Sequence, residues 1–196
     1  MKVADKERAI KSNWHVATAA EAIAAAQFAR LGFDISVQYG ANQPEYDLMV
    51  DKEAATLKIS VKGSQNGGWG LSQSQLSKLA KQGIGKARYH DAADAWLARH
   101  KPRTILCFVQ FKDVKIDAMP RVYVATPSEV AARLRQASGG KGDTILWEKH
   151  TRGPKAAGVG TTEQIPDAWL LSEARVNELL QTIARESVSQ GSAANK

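Results

Sequence analysis

The seven residues from Thr56 to Lys62 constrain this chain more than any others. Leu57, Ile59 and Val61 point one way and Lys58, Ser60 and Lys62 the other, the period of two that gives a β-strand one core face. A glycine-rich loop, Gly63-Ser64-Gln65-Asn66-Gly67-Gly68-Trp69-Gly70, follows directly. A single strand cannot bury its apolar face alone, so the neighbouring segments must supply a sheet and a layer to cover it. Ile35 to Tyr39 alternates in the same way, Tyr46 to Val50 reads as a second short strand, and Asp51-Lys52-Glu53 as a turn into Thr56. Connections this short predict an antiparallel meander. Upstream, Trp14 to Leu31 is an alanine-rich helix with Ala17, Ala24, Phe28 and Leu31 at helical spacing, stopped by Gly32.

Downstream the pattern changes. A helix starts near Ser72 or Ser74 and carries Leu76, Leu79 and Ile84, and a second spans His90 to His100 with Ala93, Trp96 and Leu97 on its apolar side. Thr104 to Phe111 is apolar throughout, as a central strand is, and Arg121 to Ala125 is a further strand. Thr126-Pro127-Ser128-Glu129 is a capping box with proline at the first helical position, opening a helix to about Gln136. Thr144 to Trp147 reads as a short strand, His150 to Pro166 as a long loop, and Ser172 caps a last helix with Val176, Leu179, Leu180 and Ile183 as its stripe. The expected fold is α/β: a mixed β-sheet with an N-terminal antiparallel meander, flanked by helices on both faces. Residues 1–137 form the expected core, 138–196 a C-terminal extension packed on or beside it, and the tail from about 187 is expected to be disordered.

Composition sets the outer bounds. At 196 residues, 43% hydrophobic and 24% charged, the chain can bury a core without disulfides or structural zinc. The one cysteine, Cys107, excludes an internal disulfide and any multi-cysteine metal site. No apolar run approaches the ~20 residues of a membrane helix, and the first residues lack a signal-peptide core. The expected setting is the cytoplasm. The formal net charge is +7, and it is unevenly spread. Residues 62–103 hold eight Lys/Arg (Lys62, Lys78, Lys81, Lys86, Arg88, Arg99, Lys101, Arg103) against Asp91 and Asp94 alone. Such a field attracts polyanions, nucleic acid first among them, although a basic solvated face is the ordinary alternative.

Three positions invite a chemical reading, each beside a plainer one. Glu21 falls in the apolar stripe of the first helix, between Ala17 and Ala24; an ionised carboxylate there is costly unless it meets a cation or a metal, and the plainer reading places it at the stripe's edge. Asp47 opens a short strand three residues after Pro44 and is either a site residue or an ordinary strand-start aspartate. Ser60 and Lys62 share a face, roughly 6–7 Å apart at Cα. A lysine ending such a strand at a glycine-rich loop points toward an open site, or simply snorkels.

Taken together, the helix text A-A-E-A-I-A-A-A-Q-F-A-R-L-G-F, then P-E-Y-D-L-M-V, then L-K-I-S-V-K-G-S resembles the PD-(D/E)XK nuclease superfamily, the restriction-endonuclease-like fold. Gly68 to Ser72, Ile105 to Phe111 and Val122 to Ser128 are also similar to small bacterial relatives of the Holliday-junction-resolvase and very-short-patch type. The resemblance covers about residues 14–135. It implies an α/β/α sandwich and a metal-dependent phosphodiesterase acting on DNA. Glu21 would be the accessory helix glutamate, Asp47 the metal-binding aspartate, and Lys62 the lysine that positions or deprotonates the attacking water. The implied cofactor is Mg²⁺ or Mn²⁺ on Asp47, the main-chain carbonyl of Val61 and, further out, Glu21. Lys78, Lys81, Lys86 and Arg88 would hold phosphates, and a homodimer is in keeping with many members. Ser60 is the departure, standing where the family has Asp or Glu, and the next helix offers only Gln73 and Gln75 in its place. Two readings stay open: a nuclease with a thin metal site, or a nuclease-fold module that binds nucleic acid and cuts weakly or not at all.

Other signals carry less. Ser138-Gly139-Gly140-Lys141-Gly142-Asp143-Thr144 lacks the Ser/Thr after Gly-Lys and precedes a strand, unlike a phosphate loop. Cys107 reads as a small hydrophobe in a strand, and His15, His90, His100 and His150 share no metal spacing. Trp69 and Trp96 flank the basic segment, where loop anchoring and core packing are their expected roles.

Overall fold

In the computed structural model the strand around Ile59 is the middle of a five-stranded sheet. The structure describes residues 12–38, 46–53, 55–82, 88–101, 103–156 and 158–193, with side chains to Arg185. Helix α1 (Asn13–Arg30) leads into β1 (Asp34–Val37), β2 (Leu48–Lys52) and β3 (Ala55–Ser64). These strands form the expected antiparallel meander, with Ile35 opposite Val50 and Leu48 opposite Ile59. After β4 (Gly68–Gly70), α2 (Gln73–Lys81) and α3 (Tyr89–Leu97), the chain returns as β5 (Thr104–Gln110) parallel to β3, and β6 (Arg121–Ala125) pairs antiparallel with β5. The strand order is β1-β2-β3-β5-β6, so the sheet is mixed.

Each face of the sheet is covered. On one, Leu57, Ile59 and Val61 of β3 and Ile105, Cys107 and Val109 of β5 meet Ala20, Ala24 and Phe28 of α1. Val176, Leu179 and Ile183 of α5 (Glu173–Ala193) complete that layer. On the other face, Leu106 and Phe108 meet Trp69, Ala93 and Trp96, together with Val130, Ala131 and Leu134 of α4 (Pro127–Gly140). The capping box of α4 forms as the sequence predicts: Thr126 Oγ1 accepts the Glu129 N–H at 3.2 Å, and Glu129 accepts the Thr126 N–H at 2.7 Å. Regular helix stops before Ala137, where Ser138 and Gly139 take positive φ of 57° and 64°.

The buried stripe of α1 is Val16, Ala20, Ala24 and Phe28, an unbroken i, i+4 row. Of the expected stripe, Ala24 and Phe28 are buried, whereas Ala17 is exposed and Val16 and Ala20 take its place; Glu21 lies half-buried at the edge, as its plainer reading has it. Two further elements differ from expectation. Gly68–Gly70, read as loop, is β4, which pairs with β7 (Ile145–Trp147). The segment read as one long loop contains the hairpin of β8 (Lys149–Thr151) and β9 (Thr162–Gln164). Strands of three residues are too short to show a period. Among the described residues no helix is long and apolar enough to cross a membrane.

Candidate functional site

The site is built at the end of β3 that outruns its partner. Odd-numbered residues of β3 turn their main-chain groups toward β2: the Ile59 carbonyl accepts the Asp47 N–H at 2.8 Å. The β2 ladder begins at Leu48, opposite Ile59, so the N–H of Val61 has no strand to bond. A buried strand N–H needs an acceptor, and the Asp47 side chain supplies it, Oδ2 accepting the Val61 N–H at 2.6 Å. The carboxylate thereby stands beside Val61, one residue before Lys62. The Val61 carbonyl, which alternation turns to the same edge as its N–H, faces that side too.

Helix α1 brings the second carboxylate. It packs closely on β3 because position 63 has no side chain: a Cβ there would lie 2.7 Å from the Val16 carbonyl oxygen and 2.9 Å from Ala20 Cβ. Seated so, Glu21 feels both other groups. Its carboxyl is held above the usual range, first by burial and then by the negative charge of Asp47, while Lys62 pulls it down. Three groups from three elements thus share one electrostatic neighbourhood. Among the described residues none of the three is joined in an ion pair. On the adjacent strand, burial and then the Asp47 charge push the Cys107 thiol up to about 12, so this cysteine is an inert core residue.

Two supports of the site lay outside the sequence reading. The indole N–H of Trp69 donates to the Lys62 carbonyl at 2.9 Å, so the buried anchor of β4 fixes the backbone of the lysine. Gly63, read only as loop, is the close-approach point for α1. A glycine that follows a strand lysine and faces an alanine row was the available signal.

The remaining sequence candidates fare unequally. Ser60 is only 4% exposed. It sits beside Leu106 on β5. It adds no charge. Gln75 is buried and Gln73 exposed on α2, and neither is acidic. Asp51, a nearby acid on β2, accepts the Thr56 hydroxyl at 2.5 Å at the far end of that strand. Glu45 lies outside the described residues. Lys78 and Lys81 are exposed in the last turn of α2, and Lys86 lies outside the described residues. Arg88 is engaged locally, its guanidinium and N–H binding Asp91 at the start of α3. Those hydrogen bonds hold the Asp91 carboxyl below the usual range.

Among the described residues no three Asp, Glu, His or Cys side chains gather closely enough to enclose a metal ion. That excludes a closed zinc-type cage there. It leaves room for a hard cation that keeps most of its water, since Mg²⁺ is satisfied by one or two carboxylates. Asp47, and Glu21 whose ionisation the Asp47 charge disfavours, beside an edge carbonyl, are a donor set of that kind. Comparison with family models, with curated proteins and with solved structures finds no match to this chain.

Proposed function

We propose that the protein is a metal-dependent phosphodiesterase of the PD-(D/E)XK kind acting on DNA. The observation that carries this reading is the shared neighbourhood of Glu21, Asp47 and Lys62, drawn from a helix, a strand start and a strand end. In this reading Asp47 and the Val61 carbonyl hold Mg²⁺ or Mn²⁺, with Glu21 reaching it directly or through water. The ion supplies Lewis-acid charge at the phosphate. Lys62, its backbone pinned by Trp69, adds positive charge where the transition state gains negative charge and orients the attacking water. Lys78 and Lys81 are free to meet flanking phosphates, giving a salt-dependent contribution to binding.

Ser60 supports a second reading, a nucleic-acid-binding module that cuts weakly or not at all. It is neutral and buried, and neither β3 nor α2 replaces the missing acid. One experiment separates the two: cleavage of plasmid, linear and branched DNA over a titration of Mg²⁺ or Mn²⁺, with wild type beside Lys62→Ala. The enzyme reading expects metal-dependent cutting that falls at least ~100-fold in the variant, the scale of a lost transition-state charge contact. Cutting that survives the change overturns the site. Salt-sensitive binding without cutting at any metal concentration selects the second reading.

A further inference from the structure

Tryptophan is among the side chains that folding buries most heavily on average, and here the five tryptophans divide sharply. Trp69, Trp96 and Trp169 are buried at 3%, 6% and 5% exposure, and Trp147 is half-buried over Gly68. Trp14 is 69% exposed. Among the described residues its aromatic neighbour is His15, edge-on at 5.1 Å between ring centroids. The position of Trp14 is set by two observations. Val16 lies directly over Gly63, so the first turn of α1 stands at the end of β3 that carries Lys62. Seven residues separate Trp14 from Glu21, and at 3.6 residues per turn seven is nearly two full turns, which puts both on one line of the helix about 10 Å apart. Helical side chains lean toward the N-terminus, carrying the indole outward past the sheet edge. Thr18, between them on the same line, leaves the path low.

We infer that Trp14 is a stacking platform for a base of an unpaired nucleic-acid strand whose phosphate lies at the Glu21, Asp47 and Lys62 site. The inference rests on the proposed function and adds the form of the substrate. An indole face binds any base and leaves sequence unread, and it needs a base free of its own partner. At roughly 3.4 Å per stacked nucleotide, the separation from Glu21 spans about three nucleotides. A duplex offers no exposed base face there, so single-stranded, flapped or branched DNA is favoured over intact duplex.

The test is a binding titration of the full chain with an unlabelled thymidine oligomer and with a blunt duplex of equal length, without divalent metal, for wild type, Trp14→Phe and Trp14→Ala. Wild type is expected to prefer the single strand, with partial quenching of indole fluorescence that Trp14→Phe abolishes. Trp14→Ala should weaken single-strand binding about 5- to 100-fold, the range for one lost base stack. Trp14→Phe should retain most of the affinity, and duplex binding should move less than twofold. An exposed residue leaves the fold intact, which the circular dichroism of each variant checks. Single-strand binding that is equal in wild type and Trp14→Ala overturns the platform and leaves the proposed function standing. Absence of binding to either oligomer in wild type overturns both.

Discussion

Two clusters of charge in this molecule are made from the same side chains and arranged in opposite ways. In the C-terminal part, Arg152 donates from Nε to Glu163 Oε1 at 2.9 Å and from Nη2 to Glu163 Oε2 at 3.1 Å, and pairs with Asp143 through Nη2. Glu163 also accepts the N–H of Ser138 at 2.7 Å, and Asp143 accepts the N–H of Thr144 at 2.6 Å. All three side chains are 12% exposed, and each charge is matched by bonds. At the end of β3, Asp47 and Lys62 both act on the Glu21 carboxyl, and among the described residues none of the three is joined in an ion pair. A closed cluster spends its charges on holding backbone in place. An open one leaves charge unmatched, at a cost to stability, which is the arrangement expected where something else is to bind.

The largest test of the comparison is to open the closed cluster. Arg152→Met leaves Asp143 and Glu163 facing each other in a largely buried place, and removes the guanidinium, just after β8, that links Asp143 to Glu163 of β9. Breaking a buried pair from one side costs about 3–5 kcal/mol, or roughly 6–20 °C in a chain of this length. Thermal unfolding should show that loss. A drop under about 1 kcal/mol, the scale of an exposed pair, would mean that the cluster is as loose as the one at β3.

A middle-sized effect divides the two tasks of Asp47. As an acceptor it satisfies the Val61 N–H, and in the proposed function its charge would hold the metal. Asp47→Ala removes both and should cost about 1–3 kcal/mol for the orphaned donor. Asp47→Asn keeps a carbonyl oxygen for the N–H and removes the charge. It should unfold within about 0.5 kcal/mol of wild type, yet lose metal-dependent cleavage as fully as the alanine variant. Urea unfolding beside a cleavage assay reads both. Equal destabilisation by the two variants would show that the charge, and not the hydrogen bond, holds the strand end.

How far the sequence disclosed this arrangement follows from the length of each signal. The meander, the central strand from Thr104 and the capping box rest on unbroken patterns of four or more residues, and all are present as read; that the central strand runs parallel to β3 comes from the pairing. The β8–β9 hairpin and β4 rest on three residues each, and their pairing is set by tertiary partners that no local pattern records. The candidate site residues divide by the same logic. Lys62 and Ser60 follow from strand alternation. Glu21 was chosen from a stripe of which Ala24 and Phe28 are buried as read, while the alanine-rich helix left its upper half ambiguous and packing on Gly63 selects Val16 and Ala20. Asp47 as the cap of Val61 could not be read, since it depends on where β2 begins against β3. The same holds for Arg175, only 5% exposed, whose guanidinium binds Glu129 at 2.7 and 2.8 Å and ties α5 to the cap of α4.

The smallest effect is the most specific to the open cluster. Glu21 is a carboxyl whose protonation is favoured in the folded state, by burial first and by Asp47 second. A raised folded value means that the folded chain binds this proton more readily than the unfolded chain. The contribution to stability is therefore present at low pH and is lost as pH rises from the ordinary glutamate range through the raised one. At pH 7 wild type bears the full cost of an ionised Glu21, and Glu21→Gln removes it. The variant should melt higher than wild type at pH 7, by no more than about 2 °C because a half-buried group is screened, and the difference should vanish near pH 4. Mg²⁺ should raise the melting temperature of wild type by mass action and that of Glu21→Gln less, since the variant has lost one of the charges the ion would meet. A variant that melts below wild type at pH 7 would place Glu21 with Glu163, among the carboxylates that hold the fold, and remove it from the open site.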